Sequence, residues 1–324
     1  MLDEEYFGIY VDYDRADTNH YVFGKIGRHN VAVTNMSAGT TGNVEASHTA
    51  THMIRSFPNI RNGLVLMVGI CGGVWSQKKE QDVRLGDVVV GEPRDLRGGV
   101  LAYNHGKAES DGEFTLTRYL ASPPRSVLTV LNDLKRKAIR DPSFLSAHMS
   151  NMFQKNEHMF ESYGRPSPEE DRLFQFWEKH KRPGESCTHC DPEHLVKRET
   201  RPDPSITKVF YGTIGSADMV IKNANTRDQI AKRYKLLAFE MEAAGIIGVC
   251  SALVIRGVCD YADSHKNDQW HNFAAVAAAA YAKALLLILH DPGDGTERRG
   301  PMMKVRGQHC LRTVYRNSAA AMEV

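Results

Sequence analysis

The chain has 324 residues, a net charge of +2, 42% hydrophobic and 25% charged residues. That length and mix suit a soluble globular core of one or two domains. The small net charge gives no footing for nucleic acid or an anionic membrane surface. The acidic start MLDEEYFGIYVDYDRAD lacks the apolar run of a signal peptide. Six cysteines, three of them in apolar or Gly-rich stretches, then favour a reducing, cytoplasmic setting.

Met1 to His20 is polar and acidic, without a clear period. Tyr21 to Ile26 and Asn30 to Met36 read as two strands joined by a short hairpin, Gly27-Arg28-His29-Asn30. Arg28 and His29 suit a phosphate contact or a plain polar turn. A small polar loop, Ser37 to Asn43, opens a helix from about Val44 to Phe57 that Pro58 ends. Gly63 to Gly69 (GLVLMVG) is an unbroken apolar run, as in a strand buried on both faces. Ile70-Cys71-Gly72-Gly73 breaks it, either as a structural turn or as a turn around a ligand. There is no GxGxxG and no GK[ST], which argues against a Rossmann fingerprint or a Walker loop.

Leu85 to Val90 reads as a strand. Ser126 to Ile139 reads as a helix with Val127, Val130, Leu131 and Leu134 on one face. Arg140 to Asp203 is polar and irregular, a surface excursion with a helical stretch expected at about Pro168 to Lys179. Within it, Cys187-Thr-His-Cys190 with His194 looks like half of a zinc site, but a second CxxC or HxxxH is missing. The motif therefore reads as a loop with free or paired thiols, and no metal is expected. Lys208 to Ile214 is a strand, followed by a turn from Gly215 to Asp218.

Leu236 to Asp263 is the most informative stretch. A strand ends in Phe239-Glu240-Met241-Glu242, a small-residue helix spans Ala243 to Cys250, and a second strand from Ala252 to Val258 delivers Asp260. Acids therefore stand where the chain leaves each strand, which is where ligands bind in open α/β sheets. A helix dipole favours one carboxylate at its start by roughly 0.3–1 kcal/mol. Two acids flanking a Met also suit a ligand, because a carboxylate's two oxygens match a vicinal diol. Asp260 suits an Asx-turn or a helix cap. The turn or cap is the first reading; the functional one is a general acid, pushed toward its protonated form by burial and by Glu242.

Phe273 to Leu289 (FAAVAAAAYAKALLLIL) is close to membrane-span length, but its central Lys283 and its alanines favour a buried core helix. Trp270, His271 and Phe273 suit packing or stacking on a base. His290 to Val324 has no period and reads as a disordered tail. Strands alternating with helices predict an α/β fold, a single domain whose central mixed sheet is flanked by helices.

Four stretches, Val68-Gly-Ile-Cys-Gly-Gly73, Leu85-Gly-Asp-Val-Val-Val90, Glu240-Met-Glu-Ala-Ala244 and Arg256-Gly-Val-Cys-Asp260, resemble in order the nucleoside phosphorylase and nucleosidase superfamily. The likeness covers roughly residues 19–290, with a polar insertion at about 140–205. It is nearest to fungal nucleoside-phosphorylase-like domains, through Gly27-Arg-His-Asn30, Cys187-x-x-Cys190 and Cys259-Asp-Tyr-Ala-Asp-Ser-His-Lys266. The resemblance implies that Glu242 binds the ribose 2′- and 3′-hydroxyls, with Met241 against the sugar and Glu240 beside it. It implies that Asp260 protonates or hydrogen-bonds the purine N7. Gly212 to Ile214 would lie against the base, and Cys71, Gly72 and Gly73 would line the phosphate or nucleophile side. Arg28 remains a candidate phosphate contact.

The function implied by the resemblance is cleavage of the N-glycosidic bond of purine nucleosides or nucleotides by a homo-oligomer. No cofactor is implied, beyond phosphate as co-substrate in a phosphorylase. Two departures matter. Met67 and Ile70 stand where phosphorylases carry a phosphate-holding Arg and Ser, which moves the expectation toward hydrolysis. The family's first strand and helix, and the Glu that orients water in its nucleosidases, precede the equivalent of Asn19. Residues 1–18 therefore read as a remnant, with Asp3, Glu4 and Glu5 at the end of that helix. The alternative expectation is a catalytically impaired nucleotide-binding or assembly domain.

Overall fold

A computed structural model describes residues 1–8, 14–58, 64–78, 81–110, 113–182, 184–289 and, as backbone, 311–316. Glu4–Tyr6 (β1) pairs antiparallel with Tyr21–Ile26 (β2), which turns tightly into His29–Thr34 (β3). Helix α1 (Asn43–Ser56) leads to β4 (Val65–Gly73), β5 (Val88–Gly91) and β6 (Val100–Ala102). Gly106–Ala108 (β7) and Phe114–Leu116 (β8) make a separate hairpin. Helices α2 (Arg125–Arg140), α3 (Phe144–Lys155) and α4 (Phe160–Tyr163) come next. The chain then runs through β9 (Val209–Ser216), α5 (Ala224–Tyr234), β10 (Leu236–Glu240), α6 (Ala243–Ile247), β11 (Ala252–Asp260), α7 (His271–Ile288) and β12 (Leu311–Arg316).

Among the described residues the main sheet is mixed, in the order β1-β2-β3-β12-β4-β10-β9-β5-β11, with β6 on β9. β4 also pairs along most of its length with β11, so β4, β10, β9, β5 and β11 close into a circuit. That closure explains the unbroken apolar runs of β4 and β11: both faces are covered, and all nine residues of β11 are buried. The central mixed sheet flanked by helices is the architecture the alternating pattern predicts.

The helix of membrane-span length, α7, lies on this sheet against β4, β5 and β11. Its alanines let it approach closely: a Cβ at Gly257 of β11 would fall on the Ala274 carbonyl. Lys283, the charge in its middle, reaches the surface and donates to Asp3 at 2.6 Å and to the Met1 carbonyl at 2.9 Å.

Four expectations change. β4 does not break at Ile70 but runs to Gly73, because Gly72 and Gly73 find strand partners in Phe239 and Ala238. The helix expected at about 168–179 is only a 3-10 turn, Pro168–Glu170, and Phe174 instead bridges to Leu195. Glu4 and Glu5 belong to a strand, not to the end of a helix, since β2 offers its open edge to them. Finally, the stretch read as a disordered tail contains β12, which lies parallel between β3 and β4, with Leu311 opposite Asn30 and Thr313 opposite Val65. Two neighbouring ladders supply what the local pattern of β12 does not. The rest of that tail falls outside the described residues.

Candidate active site

The last residues of β4, β10 and β11 meet at one place, since Gly72 is the register partner of both Phe239 and Asp260. On the β10 side, the Glu240 carboxylate accepts the backbone amides of Glu242 at 3.1 Å and Ala243 at 3.0 Å. It thereby satisfies donors that the start of α6 would leave orphaned. Arg256 of β11, fully buried, donates through Nη2 to Glu240 and, at 3.2 Å, to Glu242. The same nitrogen lies 3.4 Å from the Met67 sulfur, while Nε and Nη1 have no hydrogen-bond partner among the described residues.

Two carboxylates thus share one guanidinium in a dry setting. Burial pushes the Glu242 carboxyl above its ordinary value; Arg256 opposes this and Glu240 adds to it. Burial works against the charge on Arg256, but the two glutamates outweigh it and hold the guanidinium ionised. The loop before α1 closes over the cluster. Gly42 N–H donates to Glu242 Oε1 at 3.3 Å, and Asn43 Oδ1 accepts the Gly245 amide at 2.8 Å.

On the β11 side, Asp260 Oδ1 accepts the Ala262 amide at 2.7 Å, which is an Asx-turn. Oδ2 accepts from the Lys266 ammonium at 3.0 Å and from the Cys259 thiol at 3.2 Å. The turn holds Ala262 at φ +51°, a left-handed conformation that costs an L-residue energy. Burial alone would push the Asp260 carboxyl up, but Lys266, the Ala262 amide and the thiol outweigh it and set it below its ordinary value. The expectation of a protonated Asp260 is therefore corrected: Lys266, six residues on, keeps it ionised. Facing Asp260 raises Lys266 in turn. Cys259, Asp260 and His271 are close enough to suggest a cation site by residue type, but the Lys266 ammonium already supplies that charge.

Between the two clusters lies β4. A Cβ at Gly72 would press on Asp260 Oδ1 and on Ala262, so only glycine lets the aspartate sit there. The Cys71 thiol is pushed up by burial and feels Arg256, Asp260, Glu240 and Lys266 together, so it stands within electrostatic reach of both groups. Gly73 packs on Val258 and Val83. Met241 is half-buried between the two glutamates.

The remaining candidates fare differently. Gly212 lies under Leu237, and Ile214 is fully buried between β6 and β10. The β9 residue that reaches the cluster is Ser216, whose hydroxyl accepts the Ala244 amide at 3.0 Å. Arg28 is a correction. Its exposed hairpin precedes β3, which runs parallel through β12 to β4, so it sits at the end of the sheet opposite Gly72. Arg256, Lys266 and Ser216 were missed as site residues. Arg256 had a signal, since a charge inside an otherwise apolar strand must find a partner.

The chain spans less than half the length of the curated relatives it matches. A nucleotide-binding leucine-rich repeat (NLR)-like protein of Hyaloscypha variabilis is 39% identical over 275 residues, 85% of this chain and 26% of that protein. The ATP nucleosidase Cap17 of Escherichia coli is 26% identical over 268 residues, 80% of this chain and 43% of that protein. Among solved structures, the MTA/SAH nucleosidase of Streptococcus pneumoniae in complex with 8-aminoadenine shares the fold with a TM-score of 0.51 at 15% identity, covering 89% of this chain and 92% of that one. The family profile described as the phosphorylase superfamily matches residues 9–290, and this chain belongs to that superfamily.

Proposed function

We propose that the chain hydrolyses the N-glycosidic bond of purine nucleosides or nucleotides. The observation that carries this reading is the pair of charge clusters, the buried Glu240–Arg256–Glu242 and the half-buried Asp260–Lys266, on either side of Gly72. Cleavage sends the bonding electrons to the base and leaves positive charge at the sugar C1′. A site complementary to that transition state needs negative charge near the sugar and a hydrogen-bond partner at the base.

Glu242, as a carboxylate, accepts from the two ribose hydroxyls, and Arg256 opposes the burial that raises it. Asp260, ionised, accepts the N–H that forms at N7 as solvent protonates the departing purine. Lys266 balances the charge on Asp260. Water gives its hydroxyl to C1′ and, in sum, its proton to the base.

The charge count favours water over phosphate. Two carboxylates against one guanidinium leave the buried cluster net negative, which opposes a phosphate anion. The fully buried Met67 and the neighbouring Ile70 offer no anion donor. The E. coli relative named as an ATP nucleosidase supports including nucleotides among the substrates. Self-association and a cytoplasmic location belong to the same proposal.

Adenosine, inosine, AMP and ATP, each with and without phosphate, test it. Hydrolysis yields free base and unphosphorylated C1′ in phosphate-free buffer. Ribose-1-phosphate formed only with phosphate would overturn the choice of water. Tight binding in calorimetry with no base released under any condition would favour a binding domain instead.

A further inference from the structure

The polar insertion poses a stability problem. From Asp171 to Glu199 the described residues form two short 3-10 turns and the Phe174–Leu195 bridge; Leu173 and Val196 pack on the main core, and a separate apolar cluster joins Phe174, Cys187, Cys190 and Leu195. Fixing each backbone residue costs about 1–2 kcal/mol, and few apolar side chains offset that in this stretch. A disulfide or a metal is one device that holds a stretch so poor in apolar contacts.

Side chains suited to a metal converge there. Ligand atoms of His180, Cys187 and Cys190 all lie within 4.8 Å of one another, and all three residues are buried. Ligands on a tetrahedral zinc, with Zn–S near 2.3 Å, stand about 3.7 Å apart, so a small contraction completes the geometry. Cys187–His189 is a single 3-10 turn closed by the Cys190 amide on the Cys187 carbonyl at 3.1 Å.

The second observation comes from two histidines. His180 Nε2 has no hydrogen-bond partner among the described residues, although His180 is 8% exposed. His265, 7% exposed, has no hydrogen-bond partner there at Nε2, while its Nδ1 faces the Asp263 carboxylate at 3.6 Å. Its ring stacks on Phe174 at 4.1 Å and meets the His180 ring edge-on at 5.2 Å. A buried polar group left unpaired costs about 1–3 kcal/mol, so the Nε2 atoms of these two neighbouring imidazoles call for a partner. His194, the other candidate beside the CxxC, is turned instead to Glu178 at 2.8 Å.

We propose that His180, Cys187, Cys190 and His265 form a structural zinc site that ties the insertion to the loop carrying Lys266. Two sulfur and two nitrogen ligands in a closed tetrahedron select zinc. Binding releases two thiol protons, so the two thiolates neutralise the dication. The metal's charge is what makes thiolates tenable at such a buried site. Binding through His180 Nε2 puts the proton on Nδ1. The Arg182 amide, now 3.0 Å from Nδ1, then turns to solvent, where Arg182 already lies.

The site reaches the catalytic loop through its neighbours. The His180 amide donates to Ser264 Oγ at 3.1 Å, and His265 adjoins Lys266. Cys187, His265 and Asp260 line one small cavity. The metal would position this loop without touching substrate, and the inference does not depend on which reaction the site performs.

The test is metal analysis of the full chain purified under reducing conditions, with cobalt(II) exchange afterwards. The expected result is about one zinc per chain, with a thiolate-to-cobalt charge-transfer band and strong tetrahedral d–d bands after exchange. His265→Ala should weaken zinc by at least about tenfold and shift the d–d bands, whereas His194→Ala should change neither. Folded wild-type protein without zinc and without a charge-transfer band on cobalt addition overturns the proposal. So does a Cys187–Cys190 disulfide in that protein. Unaltered zinc affinity and bands in His265→Ala would remove His265 and leave the site, as proposed, wrong.

Discussion

Arg256 sets the character of the site, because it is the one cation shared by Glu240 and Glu242 among the described residues. Removing it leaves two buried carboxylates facing each other. Arg256→Met is predicted to cost about 3–5 kcal/mol of stability, as breaking a buried ion pair does, measured by urea denaturation. A loss below about 1 kcal/mol would mean that the cluster is wet. The acids also carry opposite pH signatures. Glu242 is raised in the fold, so its contribution is present below its unfolded value and declines as pH rises through its folded one. Asp260 is lowered, so its contribution is present above the ordinary 3.8 and is lost as pH falls through its folded value. If Glu242 must be ionised to hold the sugar, kcat/KM should fall on the acid side through a group titrating above 4.5, the ordinary glutamate value. A limb at or below 4.5 would assign the sugar clamp elsewhere. Both acids are visible in the sequence through their places at strand ends. The charge state of Asp260 is not, since whether Glu242 or Lys266 governs it is a question of tertiary distance.

The elements that bring these residues together work by close approach. β11 and α7 are held backbone to backbone at Gly257, and β4 is held against Asp260 at Gly72. Gly257→Ala is predicted to push α7 off the sheet, at about 1–3 kcal/mol, with a lower Tm in calorimetry. An unchanged Tm would show that the helix shifts freely. Strand and helix positions were legible wherever the period was strong: β2, α1, α2, β9 and β11 lie within a few residues of their expected bounds. α3 was not, because its buried face of Phe144, Leu145, Met149 and Met152 is diluted by polar neighbours in a region read as irregular. The CxxC was visible as a motif. His180 and His265, which complete the proposed zinc site, lie too far along the chain for any spacing rule to join them.

At the scale of the molecule, the sheet is completed late in the sequence. β12 lies beyond the residues matched by the family profile, yet it fills the position between β3 and β4. Deleting residues 290–324 should therefore open two ladders at once and lower Tm by more than about 4 °C. An equal Tm would show that the sheet holds without this strand. No local pattern marks Leu311–Arg316 as a central strand, and its place comes only from the two strands it joins. The fold class was readable because the alternation of apolar runs and helices spans the chain, whereas the order of strands depends on pairings that periodicity does not encode. In the proposed reaction, Asp260 and the Glu240–Arg256–Glu242 cluster act on one purine nucleoside or nucleotide, with water as the nucleophile. The decisive measurement is free-base release from that substrate in phosphate-free buffer, by the wild-type chain and by Asp260→Asn. Release by the wild type and a fall of at least about a hundredfold in the variant are expected. Base released only when phosphate is present, or at equal rates from both proteins, would refute the joint role of the two clusters.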